Sequence, residues 1–258
     1  IPVSTDFRTN FHAYSSHYGI GWLSGAILAY MRKFHNAADA TMVPTLALAD
    51  SLRSSGFQRL KVVPRGIDTR LFSPSKRSQT LRDKWQAAPE TTVMLYVGRL
   101  AAEKNLKLVL QTYAMAKQRH PDTKLVLVGD GPMRQELERS HSDVVFAGFQ
   151  TGEDLAAHYA SADMFVFASQ TETFGNVTLE AMASGLAVVA FKHAAAGELI
   201  QSGINGMLAA HDSGVHFEMA AQALLNNPDL MAYVRQQACL SAQAMGWDVI
   251  VQKTENVM

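Results

Sequence analysis

The spacing of apolar residues changes character partway along the chain. From residue 92 onward, short unbroken apolar runs alternate with amphipathic stretches. Runs at 92–97, 124–128, 144–149, 164–169, 186–191 and 206–209 predict strands. Unbroken runs, rather than strict alternation, suit parallel strands covered on both faces. Helical periodicity fills the gaps at 106–118, 133–139, 154–161, 177–184, 197–200 and 217–225, and residues 229–245 continue it. Strands alternating with helices predict an α/β fold with a doubly wound parallel sheet.

The first part follows another rhythm. Ile20, Leu23, Ile27, Tyr30, Met31 and Phe34 fall on one helical face. Residues 40–44 and 60–63 predict short strands around a helix at 46–54. These read as the last α/β units of another Rossmann-like domain. The turn-rich stretch from Pro64-Arg65-Gly66 to Phe72-Ser73-Pro74 reads as a linker. Two domains are therefore expected, residues 1–75 and 76–258. The opening Ile-Pro, with no charged leader, is expected to lie partway through a longer protein.

With 258 residues the chain can bury a sizeable core. Lys+Arg and Asp+Glu number 23 each, so net charge offers no argument for nucleic acid. The balance is uneven, however. Residues 1–75 carry 8 Lys/Arg against 4 Asp, and the remainder is acidic by the same margin. A basic first quarter could face anionic lipid or phosphate, or be surface scatter. The single cysteine, Cys239, excludes an internal disulfide and fits a reducing compartment. No apolar run reaches the length of a bilayer span. A cytoplasmic protein is expected, with peripheral contact at the inner membrane face as an option. The nine histidines show no zinc spacing and no Asp-x-Asp pair is present, so no metal site is expected.

Candidate chemistry gathers at predicted strand ends, where polar ligands bind in open α/β sheets. After the run at 164–169 come Glu172, Phe174-Gly175-Asn176-Val177 and then Glu180, placing two carboxylates eight residues apart. Two acids near a helix N-terminus suit a ligand rich in hydroxyls and phosphate. Tyr96-Val97-Gly98-Arg99 leads to Glu103-Lys104, so two cations lie five residues apart on a strand-to-helix loop. Arg99 and Lys104 could clamp a diphosphate and stabilise a departing nucleotide, or be solvated loop charges. Val128-Gly129-Asp130-Gly131-Pro132 offers glycines for close backbone approach, or a tight turn. It is not the dinucleotide fingerprint, because Arg134 stands at the third glycine position. Phe146-Ala147-Gly148-Phe149 ends another strand and could edge a nucleotide base. Phe11, Tyr14, His17, Tyr18 and Trp22 cluster near Arg8, suiting an acceptor cleft, a membrane interface or core packing.

Taken in order, these motifs resemble the family 4 retaining glycosyltransferases of the GT-B fold. Val97-Gly98-Arg99 with Glu103-Lys104, the glycine turn at 128–132, the Glu172/Glu180 pair and Ser202-Gly203-Ile204-Asn205-Gly206 match four family signatures. Val63-Pro64-Arg65-Gly66-Ile67-Asp68 resembles the interdomain segment. The start, Ser4-Thr5-Asp6-Phe7-Arg8-Thr9-Asn10-Phe11 with Tyr14 and His17-Tyr18-Gly19, resembles a branch that includes GDP-mannose-dependent α-mannosyltransferases. The implied fold is GT-B-like: a complete C-terminal Rossmann-like domain plus the end of an N-terminal one. The resemblance implies a GDP- or UDP-sugar donor, a lipid or glycan acceptor, and no cofactor. By the same resemblance Arg99 and Lys104 hold the diphosphate, Glu172 the sugar hydroxyls and Glu180 the ribose. Gly98, Gly129, Gly131, Phe149 and the 174–177 backbone complete the donor site. Three departures stand out. The first glycine-rich loop is missing, Arg8 stands where many relatives have His, and Ala194-Ala195 and Ala187 replace the usual Gly-Gly and Pro. A sugar-phosphate synthase, a sugar-nucleotide epimerase, or a fragment that binds nucleotide-sugar without turnover remain the other readings.

Overall fold

A computed structural model describes residues 2–8 and 24–255. The expectations resting on Phe11, Tyr14, His17, Tyr18, Ile20, Trp22 and Leu23 lie outside the described residues.

The described residues form two all-parallel sheets. The first has β1 (Ser4–Asp6), β2 (Ala40–Val43) and β3 (Leu60–Val62), in that order. Its helices are α1 (Ser24–Asn36) and α2 (Leu46–Ser54), the second capped by Thr45, whose hydroxyl accepts from the Leu48 N–H. Phe7, Val43, Ala49, Leu52 and Phe57 form its core.

The second sheet is built from β4 (Val93–Val97), β5 (Lys124–Val128), β6 (Val145–Gly148), β7 (Met164–Phe167), β8 (Ala187–Phe191) and β9 (Met207–Ala209). Their spatial order is β6-β5-β4-β7-β8-β9. Successive strands run outward from β4 on one side, then outward from β7 on the other. Every residue of β4, β7 and β8 is buried, which explains their unbroken apolar sequences. The helices that cover them are α3 (Gln79–Lys84), α4 (Leu106–Arg119), α5 (Arg134–Ser140), α6 (Gly152–Ser161), α7 (Asn176–Ala183), α8 (Ala194–Leu199), α9 (Gly214–Leu225) and α10 (Pro228–Gln243). A last helix, α11 (Trp247–Glu255), turns back to the linker. There the Ile67 N–H donates to the Met245 carbonyl, and a Cβ on Gly66 would fall 2.8 Å from the Trp247 ring. Among the described residues, no helix is long and apolar enough to cross a membrane.

The opening end of the second sheet is fastened by one carboxylate. Asp163, buried just before β7, accepts from Arg77 (3.0 Å), Arg82 (3.1 Å), Arg235 (3.2 Å) and the Val93 N–H (2.9 Å). Removing one member of a buried ionic cluster leaves the remaining charges uncompensated. Asp163→Ala is expected to cost about 3–5 kcal/mol, read as a lower denaturation midpoint in urea. A midpoint within error of the parent would show that the cluster is dispensable.

Candidate active site

The strand order of the second sheet reverses between β4 and β7, and ligands of open parallel sheets bind beyond the C-terminal strand ends at such a reversal. Loop 98–104 leaves β4 there, and loop 168–175 leaves β7. Between them lies a cavity of about 460 Å³. Gly98, Arg99, Lys104, Glu172, Phe174, Gly175, Asn176 and Val177 all line it. Gly129, Gly131, Phe149 and Glu180 do not.

The β4 loop is held from beneath. Tyr96 is buried, and its hydroxyl donates to the Arg99 carbonyl at 3.0 Å. Burial, followed by the charges of Glu172 and Glu103, pushes the Tyr96 hydroxyl far above its ordinary value, so it remains a neutral donor. The next loop stacks directly on this one. A Cβ on Gly129 would fall 2.0 Å from the Gly98 carbonyl oxygen, and one on Gly131 would fall 2.4 Å from that of Leu100. What these two glycines admit is the backbone of the neighbouring loop. Phe149 is 74% exposed beyond β6 at the sheet's outer edge.

Charges on the two second-sheet loops are already paired. Glu172 accepts from the Lys104 ammonium at 2.5 Å and from the Ser169 hydroxyl at 2.8 Å. Both members of the ion pair are largely buried, 14% and 15% exposed. Arg99 lies 3.8 Å from Glu103. Gly175 sits at φ 84°, a left-handed conformation that glycine adopts without penalty, and starts α7. Asn176 and Val177 thus present the positive end of that helix to the cavity. Glu180, one turn further along, accepts from the buried Tyr159 hydroxyl at 2.9 Å. Burial raises its carboxyl above the ordinary value, partly opposed by that hydrogen bond.

Three further side chains reach the site: the sequence set Glu103 in the loop signature ending at Lys104 and Arg8 beside an acceptor-cleft cluster, but assigned Arg65 only to the linker. Glu103 lines the cavity from the β4 loop, and Arg65 lines it from the first sheet together with Arg8. Both arginines follow first-sheet strands, so position just past a strand end was the available signal. Among the described residues, no three His, Cys, Asp or Glu side chains gather to hold a metal.

Comparison with known proteins identifies the family. The family model described as "Glycosyl transferases group 1" matches residues 91–227, and "Glycosyltransferase Family 4" matches residues 1–71. A GDP-mannose-dependent alpha-mannosyltransferase of Mycolicibacterium smegmatis is 34% identical over 254 residues, covering 97% of this chain and 64% of the relative. Sulfoquinovosyl transferase SQD2 of Arabidopsis thaliana is 30% identical over 265 residues, covering 99% of this chain and 51% of the relative. The structure of Anabaena HepE in complex with UDP-glucose superposes with a TM-score of 0.83 at 23% identity, covering 99% of this chain and 71% of that one. This chain belongs to the family 4 glycosyltransferases of the GT-B fold.

It spans about half the length of several curated members of the family that it matches. Its departures from the family pattern have local physical consequences. Ala194, at the usual glycine position, sits at φ 49°. A left-handed alanine costs roughly 1–2 kcal/mol. Its loop is nonetheless fixed, because the Ala195 N–H donates to the Phe174 carbonyl at 2.8 Å. Ala187, where proline is common in the family, donates its N–H to the Asp163 carbonyl at 3.1 Å. Proline could not make that bond.

Glu180 gives a pH dependence with a definite sign. Its folded-state value lies above 4.5, so the fold favours the protonated carboxyl. That contribution is complete below the unfolded value and is lost as pH rises through the folded one. Glu180→Gln should therefore gain stability relative to the parent at neutral pH, with the gap closing in acid. Denaturation midpoints across pH check this, and a gap independent of pH would contradict it.

Proposed function

We propose that this chain forms the donor side of a hexosyltransferase. Mannosyl is the sugar favoured by the relatives' names, taken from a nucleoside-diphosphate sugar and passed to a lipid or glycan acceptor. The observation that carries the reading is the convergence of Arg99, Lys104, Glu172 and the first turn of α7 on one cavity at the strand-order reversal. A diphosphate needs cations and N–H donors, and a sugar needs a carboxylate for its hydroxyls. All are present within one cleft.

In this reading the diphosphate lies between Arg99, Lys104 and the α7 N-terminus. The Lys104 ammonium then turns from Glu172 towards phosphate oxygen, and Glu172 accepts from sugar hydroxyls. Glu180, within α7, is assigned to the ribose. As the bond from the anomeric carbon to phosphate breaks, its electron pair passes to the phosphate oxygen, where the cations stabilise it. The acceptor oxygen bonds to the anomeric carbon from the same face, and its proton goes to the departing phosphate. Retaining hydrolases place two carboxylates about 5 Å apart across the sugar. Here Glu172 is tied to a lysine and Glu180 to a tyrosine. Neither is assigned the part of nucleophile, and the product should keep the donor's anomeric configuration. An inverted linkage in the product, read by NMR, would exclude this route.

A thermal-shift panel of GDP- and UDP-sugars tests donor binding directly. A ligand at 100 times its dissociation constant should add about 2.7 kcal/mol to the folded state. Lys104→Ala should lose most of that shift and, in a transfer assay, most of the turnover. An unchanged rate would remove Lys104 from the mechanism.

A further inference from the structure

Arg8 and Arg65 stand apart from the donor loops. Arg8 lies just past β1 and Arg65 just past β3, at the C-terminal ends of first-sheet strands. Both line the main cavity, and both also line a second cavity of about 110 Å³. The other walls of that second cavity are first-sheet strand ends and α11, including Phe7, Met42, Val63 and Trp247. No residue of loop 98–104 or of 172–177 lines it.

Charge is distributed unequally across the cleft. On the donor side Arg99 is matched by Glu103, and Lys104 by Glu172. The excess positive charge sits on the first-sheet side, where Asp6 pairs with Arg8 at 2.5 Å. Arg65 is half-buried and makes no hydrogen bond or ion pair with another described residue. Burial, followed by the charge of Arg8, disfavours its ionised form, with Asp6 partly offsetting both. Two neighbouring guanidinium groups, with only Asp6 as a carboxylate in a cavity otherwise lined mainly by apolar side chains, are best satisfied by a planar or tetrahedral oxyanion, which can take both forks.

We propose that Arg8 and Arg65 form an oxyanion site on the acceptor side, holding a phosphate, sulfonate or carboxylate group carried by the acceptor. The acceptor hydroxyl then faces the donor sugar across the cleft, and the apolar cavity beyond the arginines takes the adjoining part of the acceptor. This rests on the donor reading given above. A soluble sugar phosphate and an anionic lipid headgroup present the same chemistry to the two arginines.

The test uses the 258-residue chain, with inorganic phosphate and glycerol 3-phosphate titrated by calorimetry in the presence and absence of saturating GDP or UDP. Vesicles of phosphatidylcholine with and without phosphatidic acid form a second arm. Arg65→Gln and Arg8→Gln should each weaken phosphate binding by about tenfold or more, while nucleoside-diphosphate affinity stays within about twofold. Arg65→Lys, which keeps the charge and loses the fork, should fall between. Loss confined to the vesicle arm identifies a lipid headgroup, and loss in the soluble arm a free phosphate; either supports the site. Affinity unchanged in both the soluble and the vesicle arm for both Gln variants overturns it. So does a parallel loss of nucleoside-diphosphate affinity, which would give the arginines to the donor. A parent chain that binds no nucleoside diphosphate would sink the donor reading, while the phosphate titration without nucleotide still reads the arginines.

Discussion

The second sheet depends on how one buried carboxylate meets three guanidinium groups. Asp163 alone does not balance Arg77, Arg82 and Arg235, so two positive charges need another source of stabilisation. Backbone carbonyls supply it. Arg77 donates to the carbonyls of Ala160 and Ala162, and Arg82 to that of Ser161, at the C-terminal end of α6. These are acceptors at the negative pole of a helix dipole that also lack partners within their own helix. Arg82 adds the carbonyls of Ala88 and Thr91, and Arg235 that of Gly185. Three arginines from the segment before α3, from α3 and from α10 thus complete the ends of other elements. The backbone of Asp163 meanwhile pairs with Val93 on one side and Ala187 on the other, fixing β4, β7 and β8 against one another.

That fastening lies at the N-terminal ends of the strands that carry the candidate active site at their C-terminal ends. Once β4 and β7 are in register, Met94 with Met164 and Leu95 with Phe165, the loops leaving them have little freedom. The Tyr96 hydroxyl supports one from below, and the Gly129 loop presses on it from the side. The Phe174 loop is tied to α8 through Ala195. The first sheet points its own strand ends, with Arg8 and Arg65, into the same cleft. A hydrogen bond from the Ala47 N–H at the start of α2 to Glu198 of α8, 3.2 Å long, spans the two sheets nearby. It joins a helix N-terminus to a carboxylate, a favourable match with the helix dipole.

Strands β4, β7 and β8 were legible because burial on both faces leaves no polar position to interrupt the run. Helix α3 was not, since its buried side chain is Arg82, a residue that pattern reading places on the surface. Strand β1 is three polar residues and carries no hydrophobic signal, yet it pairs with β2 in full register. The cavity-lining positions within 98–104 and 172–177 could be placed from the sequence, because both loops follow predicted strands. The Lys104–Glu172 bond could not, as 68 residues separate its partners. The same holds for Arg82 and Asp163, which are 81 residues apart. Periodicity reports which face of an element is covered; it contains nothing about which charge will meet which.

The Lys104–Glu172 pair also bears on why a site proposed for a diphosphate is lined by acids at all. An ammonium as buried as Lys104 would suffer desolvation in an empty cleft, and Glu172 supplies the opposite charge that offsets it. A buried pair of this kind adds little net stability, because its attraction is spent against the loss of water around both groups. It is therefore cheap to exchange. In the proposed reading an incoming donor offers phosphate oxygen to the lysine and hydroxyls to the glutamate, so each partner leaves the other for a better-matched group. A bare nucleotide would satisfy only the lysine and strand the carboxylate, and a bare sugar would do the reverse. In that reading, coupling the two through one short ion pair makes the site favour the intact nucleotide-sugar over either of its halves.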